Sequence, residues 1–202
     1  MTQNTHHTTQ QQQQQRKTST AGLVLGVALV LTGIVSGVWY AYSTSVMLAL
    51  GDAGDRTFID VMQRINDRIE NPVFFLAFFG ALILTGISYW QLRKSAARWW
   101  VLAALVLYAA VFLLTSGVNV PLNDELAQAG NPARIADPAA VREKFEGTWV
   151  AWNHVRGVLT IAAVGCLGRA LFLYGRYGKN TRPAPLQEPA YFSSAAGSSA
   201  SR

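Results

Sequence analysis

Apolar residues fall along this chain in four long blocks, about Ala21 to Leu48, Pro72 to Leu92, Trp99 to Val118 and Val150 to Tyr174, with short polar stretches between them. Each reaches the roughly 20 residues that a helix needs to cross the hydrocarbon core of a bilayer. Short connections favour antiparallel neighbours, so the pattern predicts an all-α fold, a four-helix transmembrane bundle. In the polar stretch after the first block, Phe58, Met62, Ile65 and Ile69 recur at i, i+4, i+7 and i+11, with Val61 beside them. That spacing predicts an amphipathic helix lying along the outer surface between spans one and two. Asp55 is placed to cap its start, and Asn71-Pro72 supplies the N-cap and first-turn proline of the second span. Between spans three and four, NVPLNDELAQAG and DPAAVREKFEG predict short helices, with Asp137-Pro138 as a start signal and Gly147 as a stop or bend.

The two ends of the chain have little to bury. Residues 1–20 form a Gln-rich polar tail and residues 178–202 a Pro, Ser and Ala-rich one, so both are expected to be disordered, leaving 21–177 as a four-span membrane domain. His6 and His7 belong to the first tail and are read as incidental. Arg16 and Lys17 before an apolar run imitate a signal peptide, but the run is too long for one.

Only 14% of the residues are charged, against about a quarter in a soluble domain, which makes the lipid bilayer the first expected partner. A net charge of +6 raises nucleic acid as another, yet the basic residues show no interleaved aromatic pattern and no zinc spacing, so nucleic acid is set aside. Their distribution says something different. The stretches before span one, between spans two and three, and after span four hold nine basic residues and one acid, Glu188. That side is expected to be cytoplasmic, giving a multi-pass protein of the cell inner (plasma) membrane with both termini inside. Tyr89, Trp90, Trp99 and Trp100 mark the inner interface, and Trp39, Tyr40, Trp149 and Trp152 the outer one. Gly33, Gly37 and Ala41 form a stripe of small residues suited to close helix contact, which would permit a homodimer. Cys166 is the single cysteine, so no intrachain disulfide forms.

With alternating spans, the polar residues of four motifs meet at the outer side: Tyr42 and Ser43, Asn71, Thr115 with Asn119 and Asn123, and Trp149, Asn153, His154 and Arg156. On span four, Trp149, Asn153, Arg156 and Thr160 are spaced i, i+4, i+7 and i+11 and so share one helix face. Lipid offers Asn and Arg no partners, so that face should look into the bundle. His154 lies about 100° further round. Asn119 and Asn123 flank Pro121, expected in a non-helical turn that frees backbone carbonyls. Each group also has a plain structural reading: Arg156 as a binder of loop acids or headgroup phosphates, the tryptophans as interface residues, and the asparagines as caps. No second His, paired carboxylate or Cys cluster stands at ligand spacing and no Gly-rich phosphate loop is present, so no metal and no cofactor is expected.

The ordered motifs GVWYAYSTSVMLAL, FIDVMQRINDRIENPVFF, GVNVPLNDELA and TWVAWNHVRG resemble the anthrone oxygenase-like family of small four-span membrane proteins, over Ala21 to about Tyr174. The resemblance implies oxidation of an anthrone to an anthraquinone by molecular oxygen, without a recognised metal or flavin. It carries to Asn66 and Asn71, to Asn119, Pro121 and Asn123, and to Trp152, Asn153 and Arg156. Such chemistry needs a site for a flat aromatic substrate, help with deprotonation, and stabilisation of an oxyanion. His154 has the suitable unperturbed pKa for the base. Arg156 with Asn153 or Asn123 would hold the negative charge, while Trp149, Trp152, Asn119, Asn71 and Tyr42 would line the substrate. A non-enzymatic alternative stays open, in which the polar mouth binds a lipid or small molecule or supports an assembly partner. Transport is weaker, since charged residues near the bilayer midplane are missing.

Overall fold

The computed structural model describes residues 2–180, with side chains described over residues 20–176; the tails expected at 1–20 and 178–202 lie largely outside that range. The described residues are helical and contain no strand. Helix α1 (Thr2–Ala41) passes through a π-helical turn (Tyr42–Val46) into α2 (Met47–Gly51), and α3 (Asp55–Ile69) and α4 (Pro72–Leu92) follow. Next come α5 (Arg98–Leu114), a second π-helical turn (Thr115–Asn119), α6 (Val120–Gln128), a 3-10 turn (Pro132–Arg134) and α7 (Pro138–Asn180). Four stretches, Thr20–Gly51, Pro72–Leu92, Arg98–Gln128 and Pro138–Arg176, are long and apolar enough to cross a membrane.

These four pack as a square in which α1 lies on α4 and α7, and α5 lies on α7 and α4. Toward the end holding both described termini, the core is built from small residues, Ala21, Ala97, Ala104, Ala163 and Ala170, around Leu25, Val101 and Leu167. Small side chains let helix backbones approach where no water is present to drive association. Gly80 serves the same purpose, because a Cβ there would stand 2.9 Å from Leu31 Cδ1. Larger groups fill the middle, with Val35, Trp39, Phe78, Tyr108 and Val111 buried together. The outward-facing surface is apolar, with Leu23, Ile34, Leu76, Ile83, Val106, Leu113 and Val158 all exposed, as lipid contact requires.

The opposite end is capped by protein. Helix α3 is the amphipathic helix the spacing predicts, but its apolar face meets protein and not lipid. Phe58, Ile59 and Met62 are buried against Met47, Leu50, Leu126, Phe145 and Trp149. Its polar face is tied to the connection between spans three and four: Gln63 Nε2 donates to the carbonyls of Leu126 (2.8 Å) and Gly130 (3.1 Å), and Arg56 donates to those of Pro132 and Ile135. Gly130 has φ 77°, the left-handed conformation that ends α6 and that glycine adopts without strain.

Two expectations for this connection are corrected. Pro121 does not break the chain into a turn: it lies in the first turn of α6 directly after the π-helical turn, where the regular hydrogen-bond ladder is already interrupted. Gly147 does not stop α7, which runs unbroken from Pro138. A contact four residues apart spans the glycine, with the Phe145 ring stacked on Trp149 at 6.0 Å.

Candidate functional site

The shared face on α7 is present and looks inward. Asn153, Arg156 and Thr160 are buried polar residues, with Trp149 buried one turn before them. Thr160 Oγ1 donates back to the Arg156 carbonyl at 2.9 Å, so it is satisfied within its own helix. Asn153 and Arg156 instead reach across. The Asn153 amide donates to the Trp39 carbonyl (3.2 Å) and to Ser43 Oγ (2.9 Å), and its oxygen accepts from Arg156 at 3.3 Å. The other side of the guanidinium donates to Thr115 Oγ1 at 3.4 Å.

Both π-helical turns lie at this place. Ser43 belongs to the first and Thr115 to the second, so each inserted turn carries a hydroxyl to the Asn153–Arg156 pair. A π-turn widens a helix by one residue and interrupts its regular hydrogen bonding, a distortion that recurs at functional sites. Here it lets α1 and α5 turn short polar side chains inward while their flanks remain apolar. Asn119 follows Thr115 by four residues, about one turn on, and is 1% exposed.

Aromatic rings form the walls. The Arg156 guanidinium carbon lies 4.0 Å from the centroid of Trp39 and 5.6 Å from that of Trp149. Tyr42 packs against Trp149 with centroids 5.5 Å apart, and Trp149 Nε1 donates to Asn123 Oδ1 at 2.8 Å. A recess of about 160 Å³, lined by Leu122, Leu126, Ala129, Val141 and Phe145 and flanked by the Lys144–Glu125 ion pair at 2.8 Å, adjoins this group through Phe145.

The electrostatics around Arg156 are unbalanced. Arg156 is 2% exposed, and among the described residues no carboxylate pairs with it. Burying an ion costs several kcal/mol even after the surroundings relax. The Trp39 contact returns about 2 kcal/mol of that when desolvated. The bonds to Asn153 and Thr115 are longer than the roughly 2.7–3.2 Å usual for N–H···O, and so return little. Arg156 Nε, Trp39 Nε1 and both polar atoms of the Asn119 side chain are buried without a hydrogen-bond partner. A group bearing negative charge on oxygen would satisfy several of these donors and neutralise the cation together.

Of the residues picked from the sequence, the structure brings together Asn153, Arg156, Trp149, Asn123 and Tyr42, and buries Asn119 one turn beyond Thr115. It separates three. His154 is exposed on another face of α7, its ring Nδ1 2.7 Å from the Val150 carbonyl, because a one-residue step turns a helix side chain about 100° away from Asn153. Asn71 accepts from the N–H groups of Val73 (3.0 Å) and Phe74 (3.1 Å) and donates to the carbonyls of Arg68 and Ile69, so its side chain is taken up in capping α4. Trp152 is half-buried beside Asn153 and lies outside the chamber contacts just described.

Trp39 does not belong to the outer interface belt expected from the sequence: it is 3% exposed and lies against the Arg156 guanidinium. Thr32, Ser36, Trp39 and Ser43 repeat the four-three-four spacing of the α7 face, a signal in the sequence that marks an inward stripe. Trp149 is likewise 3% exposed and not at the lipid boundary. Among the described residues, no group of three or more His, Cys, Asp or Glu side chains stands close enough to hold a metal ion.

No curated protein and no solved structure matches the chain. A match to the family described as Anthrone oxygenase runs over residues 62–166, just over half of the chain, from the middle of α3 into α7. It takes in Thr115, Asn119, Asn123, Trp149, Asn153 and Arg156, and leaves Trp39, Tyr42 and Ser43 to the segment before it. With that match and the four apolar helices carrying the motifs in order, the chain belongs to the anthrone oxygenase family.

Proposed function

We propose that the protein is a cofactor-independent oxidase or oxygenase of electron-rich aromatic molecules, an anthrone or a quinol-like compound, acting in the chamber around Arg156. The observation that supports this reading is a fully buried guanidinium, walled by tryptophan rings and paired with no acid. An anthrone is the keto form of an electron-rich phenol. Loss of a proton from its CH2 carbon gives an enolate whose charge rests largely on oxygen. A desolvated cation at that oxygen stabilises the conjugate base and so raises the acidity of the bound substrate.

The enolate transfers one electron to molecular oxygen, giving a carbon radical and superoxide, which combine to form the new C–O bond. The resulting peroxide takes up the proton, its O–O bond breaks, and the remaining hydrogen on that carbon leaves with the departing oxygen as water. Anthrone and oxygen become anthraquinone and water, with oxygen as the oxidant. In this reading Arg156 holds the oxyanion, and Asn153 acts as a positioning residue that orients the guanidinium. Asn119 donates alongside, Trp149 and Tyr42 contact the rings, and Asn123 fixes Trp149. His154 stands outside the chamber, so the proton passes to water and not to an imidazole. The nine-to-one excess of basic residues on the side of the termini turns the capped end and its recess outward, and the substrate enters there.

The test is oxygen consumption by the purified full-length protein with anthrone as substrate. Folded Arg156→Gln protein is expected to turn over about 100- to 1000-fold more slowly, the loss typical of removing an oxyanion-stabilising donor. Equal rates in the wild type and Arg156→Gln, or no anthrone-dependent uptake in the wild type, would contradict the reading.

A further inference from the structure

We infer that the chamber around Arg156 is a binding site for a small monovalent anion, independently of any turnover there. A guanidinium cannot shed its charge by losing a proton, so a buried one needs a compensating charge nearby. The chain shows what full compensation looks like at Arg142, which is paired with both Glu146 and Asp55. Around Arg156 the surrounding side chains are neutral: Asn153, Thr115, Trp39 and Trp149. A single negative charge balances the site, whereas a divalent anion would replace one unpaired charge with another.

The donors fit the same ligand. Arg156 Nε and Trp39 Nε1 are buried N–H groups with no acceptor among the described residues, supplied by two helices whose side chains stack here. An anion accepts from several N–H groups at once and has no hydrogen of its own to place. The guanidinium lies over the Trp39 ring, which occupies a flat side and leaves the hydrogen-bonding edge for the ligand. The site therefore selects by charge, for a halide or another small monovalent ion, and a phenolate or enolate oxygen would compete for the same place.

Thermal unfolding of the full-length protein in detergent tests this, with sodium gluconate replaced stepwise by sodium bromide at constant ionic strength. The melting temperature is expected to rise and saturate, by about 5–10 °C at a hundredfold excess over the dissociation constant. The Arg156→Gln protein is expected to show no such rise, and Arg156→Lys to keep part of it. A flat response in the wild type, or the same saturable rise in Arg156→Gln, overturns the inference. Should Arg156→Gln fail to fold, crystals of the wild type grown in bromide decide the matter. An anomalous peak within hydrogen-bonding reach of Arg156 upholds the site, and bromide found only at exposed arginines removes it. Saturable bromide binding without anthrone turnover upholds this inference and removes only the catalytic reading.

Discussion

Helix α7 carries two arginines 14 residues apart that lie in opposite chemical worlds. Arg142, in the cap, donates to Glu146 and Asp55 and to the carbonyls of Leu50, Gly51 and Ala53, with its guanidinium 4.5 Å from the Phe58 ring centroid. It closes the carbonyl end of α2 and fastens the turn into α3. Arg156, four helical turns further on, has two long hydrogen bonds to neutral groups and one N–H with no partner. A charge kept for architecture is surrounded until every donor is used. The charge at Arg156 is held in place and left incomplete.

The largest effect on stability should therefore follow from the arginine that is less deeply buried. Arg142→Met leaves two carboxylates and several carbonyls without their donor, and is expected to destabilise the fold by about 2–3 kcal/mol, as for losing hydrogen bonds to charged groups that water can partly replace. Thermal unfolding in detergent measures it, and a loss below about 1 kcal/mol would show that the cap is held by its apolar contacts alone. Trp149→Phe keeps the ring against Tyr42 and Phe145 but removes the donor to Asn123. The expected loss is about 1 kcal/mol, the net worth of one part-buried hydrogen bond, and the same unfolding experiment detects it.

Smaller effects separate the residues that the sequence grouped with the chamber from those the fold places elsewhere. Asn71→Ala should lower stability by about 1 kcal/mol through loss of an N-cap, with anthrone oxidation by the folded protein unchanged. A selective fall in turnover would bring Asn71 back into the site. His154→Ala removes an exposed ring, and its stability should stay within about 0.5 kcal/mol of the wild type. A flat pH profile for oxygen uptake between the wild type and this variant is expected, and a profile that changes near neutral pH would restore the imidazole as the base.

Those two residues also mark where the sequence stops being legible. Helix periodicity fixes which residues share a face, so Trp149, Asn153, Arg156 and Thr160 were readable as an inward stripe from spacing alone. The same rule places His154 on another face, and its chemical suitability as a base drew it into the site against its geometry. Trp39 obeys the spacing as well, but a tryptophan near a span end has two explanations, and only packing chooses between them. The π-turns at Tyr42–Val46 and Thr115–Asn119 have no such signature. They arise where neighbouring helices supply partners for the interrupted backbone, a tertiary circumstance that one strand of sequence does not carry. Amphipathicity in α3 was legible while its contact surface was not, because an apolar stripe is the same whether it meets lipid or the Phe145–Trp149 cluster.

The contrast between the two arginines reduces to one comparison, the unfolding of Arg156→Met beside that of Arg142→Met in the same halide-free gluconate buffer, where no bound halide supports the wild type. Replacing an uncompensated buried ion with an apolar side chain of similar length relieves desolvation and is neutral to stabilising by about 1–4 kcal/mol. Arg156→Met is accordingly expected to melt at or above the wild-type temperature while anthrone oxidation disappears. If it instead unfolds as readily as Arg142→Met, Arg156 is a structural strut, and the chamber it was held to serve has no claim to an anion or a substrate.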